Sequence, residues 1–165
     1  MSEGEGAIAR TRAQAIAEYL EGMGVAHEIV EHAPTTRAAA EARAAGRMPD
    51  QAAKTVVLHD GAAYVIAAVP AACRLDLRKL RDLLGASRRL RLASEEEIAR
   101  DFPAFEVGAV PPFGPMVPAA EVIDGALVAQ ESVLFPAGDH RHSVLVDPRE
   151  VVRITAAVVA DVSED

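Results

Sequence analysis

The chain has 165 residues, half of them hydrophobic and a quarter charged, the size and composition of one globular domain. Its net charge of −8 excludes a general nucleic-acid binder, and its single cysteine, Cys73, excludes an internal disulfide and is compatible with the cytosol. No N-terminal stretch reads as a secretory signal and no apolar run approaches the roughly 18 residues of a membrane span, so a cytoplasmic protein without membrane contact is expected.

Residues 1–6 are small and acidic and read as a disordered tail before a single domain over 7–162. From Ala7 the apolar positions Ile8, Ile16, Leu20 and Met23 follow a helical stripe that stops at Gly24. Val25 to Glu31 reads as a strand. Pro34 breaks the chain, and Thr35 or Thr36 caps an alanine-rich helix ending near Gly46. Ala53 to Leu58 is a strand whose consecutive apolar residues Val56, Val57 and Leu58 predict cover on both faces. Asp60-Gly61 predicts a hairpin turn into a second strand, Ala63 to Val69, which Pro70 ends. Asp76 caps a helix carrying Leu77, Leu80, Leu83 and Leu84, closed by Gly85. Arg89 to Leu92 follows as a short strand, and Ser94 with Glu97 forms a capping box for a helix through Arg100.

Phe102 to Pro118 has no assignable period. Its five prolines stiffen it, which predicts an ordered site loop. Val117 to Ile123 begins a strand. Glu131 to Phe135 and Ser143 to Val146 flank the turn 136–142. Asp147-Pro148 starts a helix to Ile154, and Ala157 to Val162 reads as a last strand.

Three features invite chemistry. Lys54 is one of two lysines against fifteen arginines. At the mouth of a buried strand it is either a snorkelling surface residue or a compact point charge aimed into a cavity. His140 and His142 would share a face of a strand, which suggests a metal site, a polar turn or a substrate-facing loop; zinc would need further convergent ligands, and none has recognisable spacing. Arg74, Arg78, Lys79, Arg81, Arg88, Arg89 and Arg91 outnumber Asp76 and Asp82, giving a solvated face or a phosphate-binding patch. His32 borders a cleft or simply ends a strand, while His27 and His59 read as a strand residue and a turn neighbour. No serine-hydrolase elbow or phosphate-cradling loop occurs, and the serines read as turn, cap and strand residues.

The order of four segments resembles the YbaK/prolyl-tRNA-synthetase-associated editing domain family of aminoacyl-tRNA deacylases. They are Glu31-His32-Ala33-Pro34-Thr35-Thr36, Ala53-Lys54-Thr55-Val56-Val57-Leu58, Gly108-Ala109-Val110-Pro111-Pro112-Phe113-Gly114, and the hairpin Phe135 to Val146 with Gly138 in its turn. The resemblance spans roughly residues 10–162. It implies a single α/β (α+β) domain: a mixed curved sheet or partial barrel surrounded by helices. It also implies hydrolysis of a mischarged tRNA's ester without metal or cofactor. Lys54, Gly138 and Asp139 are the implied catalytic residues, and His32, Thr36, Thr55, Gly108, Pro111, Gly114 and His140 the implied substrate contacts. The implied partners are the aminoacylated 3′ end of a tRNA, one for proline carrying alanine or cysteine or a similar small residue, and an aminoacyl-tRNA synthetase. The turn Gly138-Asp139-His140 departs from the Gly/Arg-rich form of many members, which leaves the amino acid removed open. The competing readings are a regulatory module of the same fold that binds an aminoacyl or nucleotide group and, third, a metal-dependent hydrolase.

Overall fold

The computed structural model describes residues 11–34, 43, 46, 48–85, 89–113 and 119–164. The tail 1–6, nearly all of the predicted alanine-rich helix and residues 114–118 of the proline-rich segment lie outside the described residues. Helix α1 spans Arg12–Gly22; the upstream positions 7–10 of the apolar stripe lie outside the described residues. Thr11 accepts the Gln14 N–H and Gln14 caps Thr11 in return, a capping box that fixes the helix start. Ile16 and Leu20 are buried, while Met23 is 39% exposed beyond the helix end.

Strand β1 (His27–Glu31) is followed by a 3₁₀ turn (Pro49–Gln51) and the hairpin β2 (Ala53–His59)/β3 (Tyr64–Pro70). Asp60 Oδ1 accepts the Ala62 and Ala63 N–H groups at 2.8 Å, and Gly61 takes φ +97°, so the Asp-Gly pair builds the turn as predicted. Strand β4 (Arg74–Leu75) leads into α2 (Leu77–Leu84), capped by Asp76 and ended by left-handed Gly85. Strand β5 (Arg91–Leu92) and α3 (Glu95–Asp101) precede the long loop, and the Ser94/Glu97 box is formed. Beyond the loop come β6 (Ala119–Asp124), the short α4 (Gly125–Val128), β7 (Val133–Pro136), β8 (His142–Val146) and α5 (Pro148–Thr155). Strands β9 (Val158–Ala160) and β10 (Ser163–Glu164) end the described chain.

The strands form a mixed five-stranded sheet in the order β5-β2-β3-β6-β9, a three-stranded sheet β1-β8-β7 and the pair β10-β4. Among the described residues the sheets do not close into one barrel, and the larger two are joined by the parallel bridge of Ala52 with Leu134. The partial barrel expected from sequence is therefore two sheets facing each other across one core. Side-chain alternation assigns the faces. Ala53, Val57, Ile66, Ala68 and Ile123 point into the main core with Ile16, Leu20, Phe113, Phe135 and Val144. Leu58, Val65, Ala67, Val69 and Val122 point outward, where Leu80 of α2 covers them. The expectation that β2 is covered on both faces holds for Val57 and Leu58, 6% and 0% exposed.

Asp124 ties the last strands together. It is 2% exposed; its Oδ1 accepts the Ala126 N–H and its Oδ2 the Val162 N–H, both at 2.9 Å. Asp124→Ala strands two donors, each costing about 1–3 kcal/mol. It is expected to lower unfolding free energy by about 2–4 kcal/mol in urea titration. Asp124→Asn, which keeps an acceptor, is expected to lose less.

Candidate active site

The described part of the loop, 102–113, has no regular structure, yet Phe102, Phe105, Ala109, Val110 and Phe113 are all buried. Apolar burial anchors the loop, and hydrogen bonds fix it on both sides. Gly138 N–H donates to Ala109 O (3.0 Å), and Glu106 N–H donates to Gly138 O (2.8 Å). On the opposite flank Thr55 Oγ1 donates to Val110 O at 2.6 Å. The loop therefore lies between the chain leaving β7 and strand β2. Gly138 has φ +93°, and a Cβ there would stand 2.8 Å from Arg12 Cβ and 3.2 Å from Phe105 Cδ1, so no other residue fits without displacement. Its N–H and C=O are both engaged within the protein. At Gly108, with φ +88°, a Cβ would meet His140 Cε1 at 3.3 Å.

The two turn histidines diverge. His140 Nε2 lies 2.8 Å from Val107 O, and a carbonyl only accepts, so Nε2 carries the proton; His140 N–H donates to Glu106 Oε1. His142 Nδ1 instead meets both oxygens of Asp139 at 2.9 and 3.0 Å, and its Nε2 faces Glu31 Oε2 at 3.5 Å. Among the described residues no three His, Cys, Asp or Glu side chains gather as a metal site requires. Burial works to raise the Asp139 carboxyl, but the His142 ring and the Arg141 and His142 backbone N–H groups outweigh it and hold Asp139 below the ordinary aspartate range.

His32 is 8% exposed. Its Nδ1 donates to Ala33 O (2.9 Å), which leaves the Nε2 lone pair to accept Ser143 Oγ–H at 3.1 Å. By sequence Ser143 reads only as a strand residue. Lys54, opposite Val69 in the ladder, follows Ala52 on the strand face away from Thr55. Ala52 bridges Leu134; two residues further on stand Lys54 and Pro136, and Pro136 is the cross-strand partner of Ser143. Lys54 is half-buried, and its ammonium has no partner among the described residues.

One network thus collects Thr55, Gly108, Gly138, Asp139 and His140, with Pro111 next to the bonded Val110. Lys54 lies beside it on the far face of β2. His32 joins the turn from β1, its N–H donating to Arg141 O and its ring meeting Ser143. Thr36 and Gly114 lie outside the described residues. The contributions of Glu106 and Ser143 are not legible in the sequence; His142 is legible as part of the pair with His140, but its Asp139 partner is not. Three cations of the basic stretch 74–91 are used internally. Lys79 Nζ bonds Asp161 and Ser163 O, Arg81 Nη2 bonds Leu90 O, and Arg91 pairs both nitrogens with Glu97. Arg74 and Arg78 remain exposed, and Arg88 lies outside the described residues.

Residues 32–154 match the model of the aminoacyl-tRNA editing domain, so the chain belongs to that family. A proposed trans-editing enzyme for prolyl-tRNA synthetase has a similar structure, with TM-score 0.82, 31% identity, and coverage of 93% of this chain and 98% of the other. A hypothetical protein, APE2540, superposes with TM-score 0.81 at 29% identity over 90% of this chain and 99% of its own. No curated protein matched. Among the described residues no helix is long and apolar enough to cross a membrane.

The Asp139–His142 contact has a pH signature. Because the folded carboxyl titrates below its unfolded value of about 3.9, its stabilisation is present above that pH and is lost as pH falls through the folded value. The melting-temperature difference between wild type and Asp139→Asn is therefore expected to be full at pH 5–7 and to shrink below about pH 4. A difference that grows on acidification would contradict the assignment.

Proposed function

We propose that this domain is a trans-acting deacylase that hydrolyses the ester of a mischarged tRNA, one for proline carrying alanine, cysteine or a similar small amino acid. Membership of the editing family and likeness to the trans-editing neighbour support the reaction class. The observation that carries the reading to this site is the loop held between Thr55 and Gly138, next in sequence on β2 to Lys54, a half-buried lysine without an ion-pair partner among the described residues.

In this reading water adds to the ester carbonyl, the bond to the terminal ribose oxygen breaks, and that oxygen leaves with a proton. The products are the free amino acid and the tRNA. Lys54 holds the terminal nucleotide or the aminoacyl group by charge. Gly138 sets the turn against the loop, and Asp139 orients the water or the substrate ammonium. His32, Thr36, Thr55, Gly108, Pro111, Gly114 and His140 shape the substrate's surroundings. The reaction then runs on positioning and oriented dipoles, with neither metal nor cofactor invoked. The domain proposed spans 7–162, works in the cytoplasm and can borrow tRNA affinity from a synthetase partner.

The test is deacylation of a panel of charged tRNAs with EDTA present, beginning with alanyl- and cysteinyl-tRNA for proline. One member is expected to be cleaved, with Lys54→Ala slower by about 10²-fold, the scale for removing one transition-state contact. Full activity in a folded Lys54→Ala would remove the lysine's role. Protection of the ester in place of cleavage would make the domain a regulatory binder.

A further inference from the structure

The cations of this acidic chain divide by what they touch. Lys79, Arg91, Arg100, Arg149 and Arg153 each rest on a carboxylate. Arg12 and Arg141 have no carboxylate partner among the described residues, and both are exposed at the site turn.

Arg12 opens α1. Its Nε donates to Ala104 O at 2.8 Å, which orients the guanidinium, and its terminal nitrogens have no hydrogen-bond partner among the described residues. Its stem lies over Gly138: a Cβ at that glycine would fall 2.8 Å from Arg12 Cβ and 3.6 Å from Cδ. The missing side chain at 138 is thus what lets the arginine cross the turn. Arg141 is pinned through its backbone. Its N–H donates to Asp139 Oδ1 (2.8 Å) and its carbonyl accepts His32 N–H (2.8 Å), while its side chain stays in solvent.

The neighbouring acids face the turn's own donors. Asp139 takes the His142 ring and the Arg141 N–H, Glu106 takes the His140 N–H, and Glu31 faces His142 Nε2. Arginine forks directed outward beside a substrate site are suited to phosphate oxygens. In a chain of charge −8, attraction for a polyanion has to be local.

We infer that Arg12 and Arg141 form a phosphodiester-binding rim over which the 3′ strand of the RNA enters the site, and that the basic face of α2 is not the docking surface. The inference rests on the reading of an aminoacylated RNA as substrate.

The test measures binding of a short single-stranded RNA ending in CCA, by fluorescence anisotropy at several salt concentrations. Arg12→Gln, Arg141→Gln and the double variant are compared with Arg78→Gln on α2. Each rim variant is expected to weaken binding several-fold and to reduce the slope of log K against log salt by about 0.7, the single-strand value per phosphate contact. Arg78→Gln is expected to change neither. Arg141→Gln removes only an exposed side chain, so it reads the rim even if Arg12→Gln melts early. Rim variants indistinguishable from wild type, an equal loss in Arg78→Gln, or no RNA binding by wild type would each overturn the inference. Binding is read without turnover. A protein that binds through the rim but cleaves no ester would sink the deacylase reading alone, and a deacylase whose salt slope ignores both arginines would sink only the rim.

Discussion

The paired hydrogen bonds between Gly138 and the loop, one to Ala109 O and one from Glu106 N–H, are the constraint on which the site depends. A loop rich in proline has few N–H groups to donate and cannot join a sheet through both edges. It therefore borrows its order from others: aromatic and aliphatic burial beneath, the hairpin turn on one flank and the Thr55 hydroxyl on the other. Glycine at 138 is needed twice over, for its positive φ and for the close passage of Arg12 and Phe105. Once the turn is docked, His140 reaches Val107 O and Asp139 is left to bind His142. The positions of both follow from the dock.

Local chemistry made much of the fold legible. Asp60-Gly61 specifies the hairpin, Asp76 and Ser94 cap their helices, and the apolar run 56–58 marks a central strand. What escaped was non-local or too short to have a period. Strands β4 and β10 have two residues each, and only their mutual pairing defines them. The described helix starts at Arg12 because Thr11 and Gln14 form a capping box there, a local signal that the apolar stripe does not carry; Ala7 and Ile8 lie outside the described residues. At the site, the spacing of His140 and His142 suggested a common face. The turn between the strands breaks the alternation, and one ring goes to a carbonyl while the other goes to a carboxylate. The proline and glycine content singled out the loop, but its ties reach across the fold, as Thr55 to Val110 does over 55 positions. No local pattern encodes such a tie.

An acidic editing domain has to meet a polyanion without attracting every polyanion. Intramolecular pairing offers a route, since arginines resting on Glu97, Asp101, Asp147 and Glu150 contribute little long-range field. Arg12 and Arg141, without such partners among the described residues, lie at the turn where a proposed substrate's charge would arrive. In the proposed reaction the catalytic demand falls on backbone geometry and one ammonium, which suits a site assembled by mutual docking of two irregular segments more than one built around a nucleophile.

The central claim is that the loop's tie to β2 sets the geometry in which Lys54 and the loop act together. Single-turnover deacylation by Thr55→Val tests it most directly, since valine keeps the shape of threonine and removes only the hydrogen bond to Val110 O. The account predicts a chemical step slowed by about tenfold or more, equivalent to about 1.4 kcal/mol, with RNA binding retained and the fold intact. A Thr55→Val protein that turns over at the wild-type rate would contradict it.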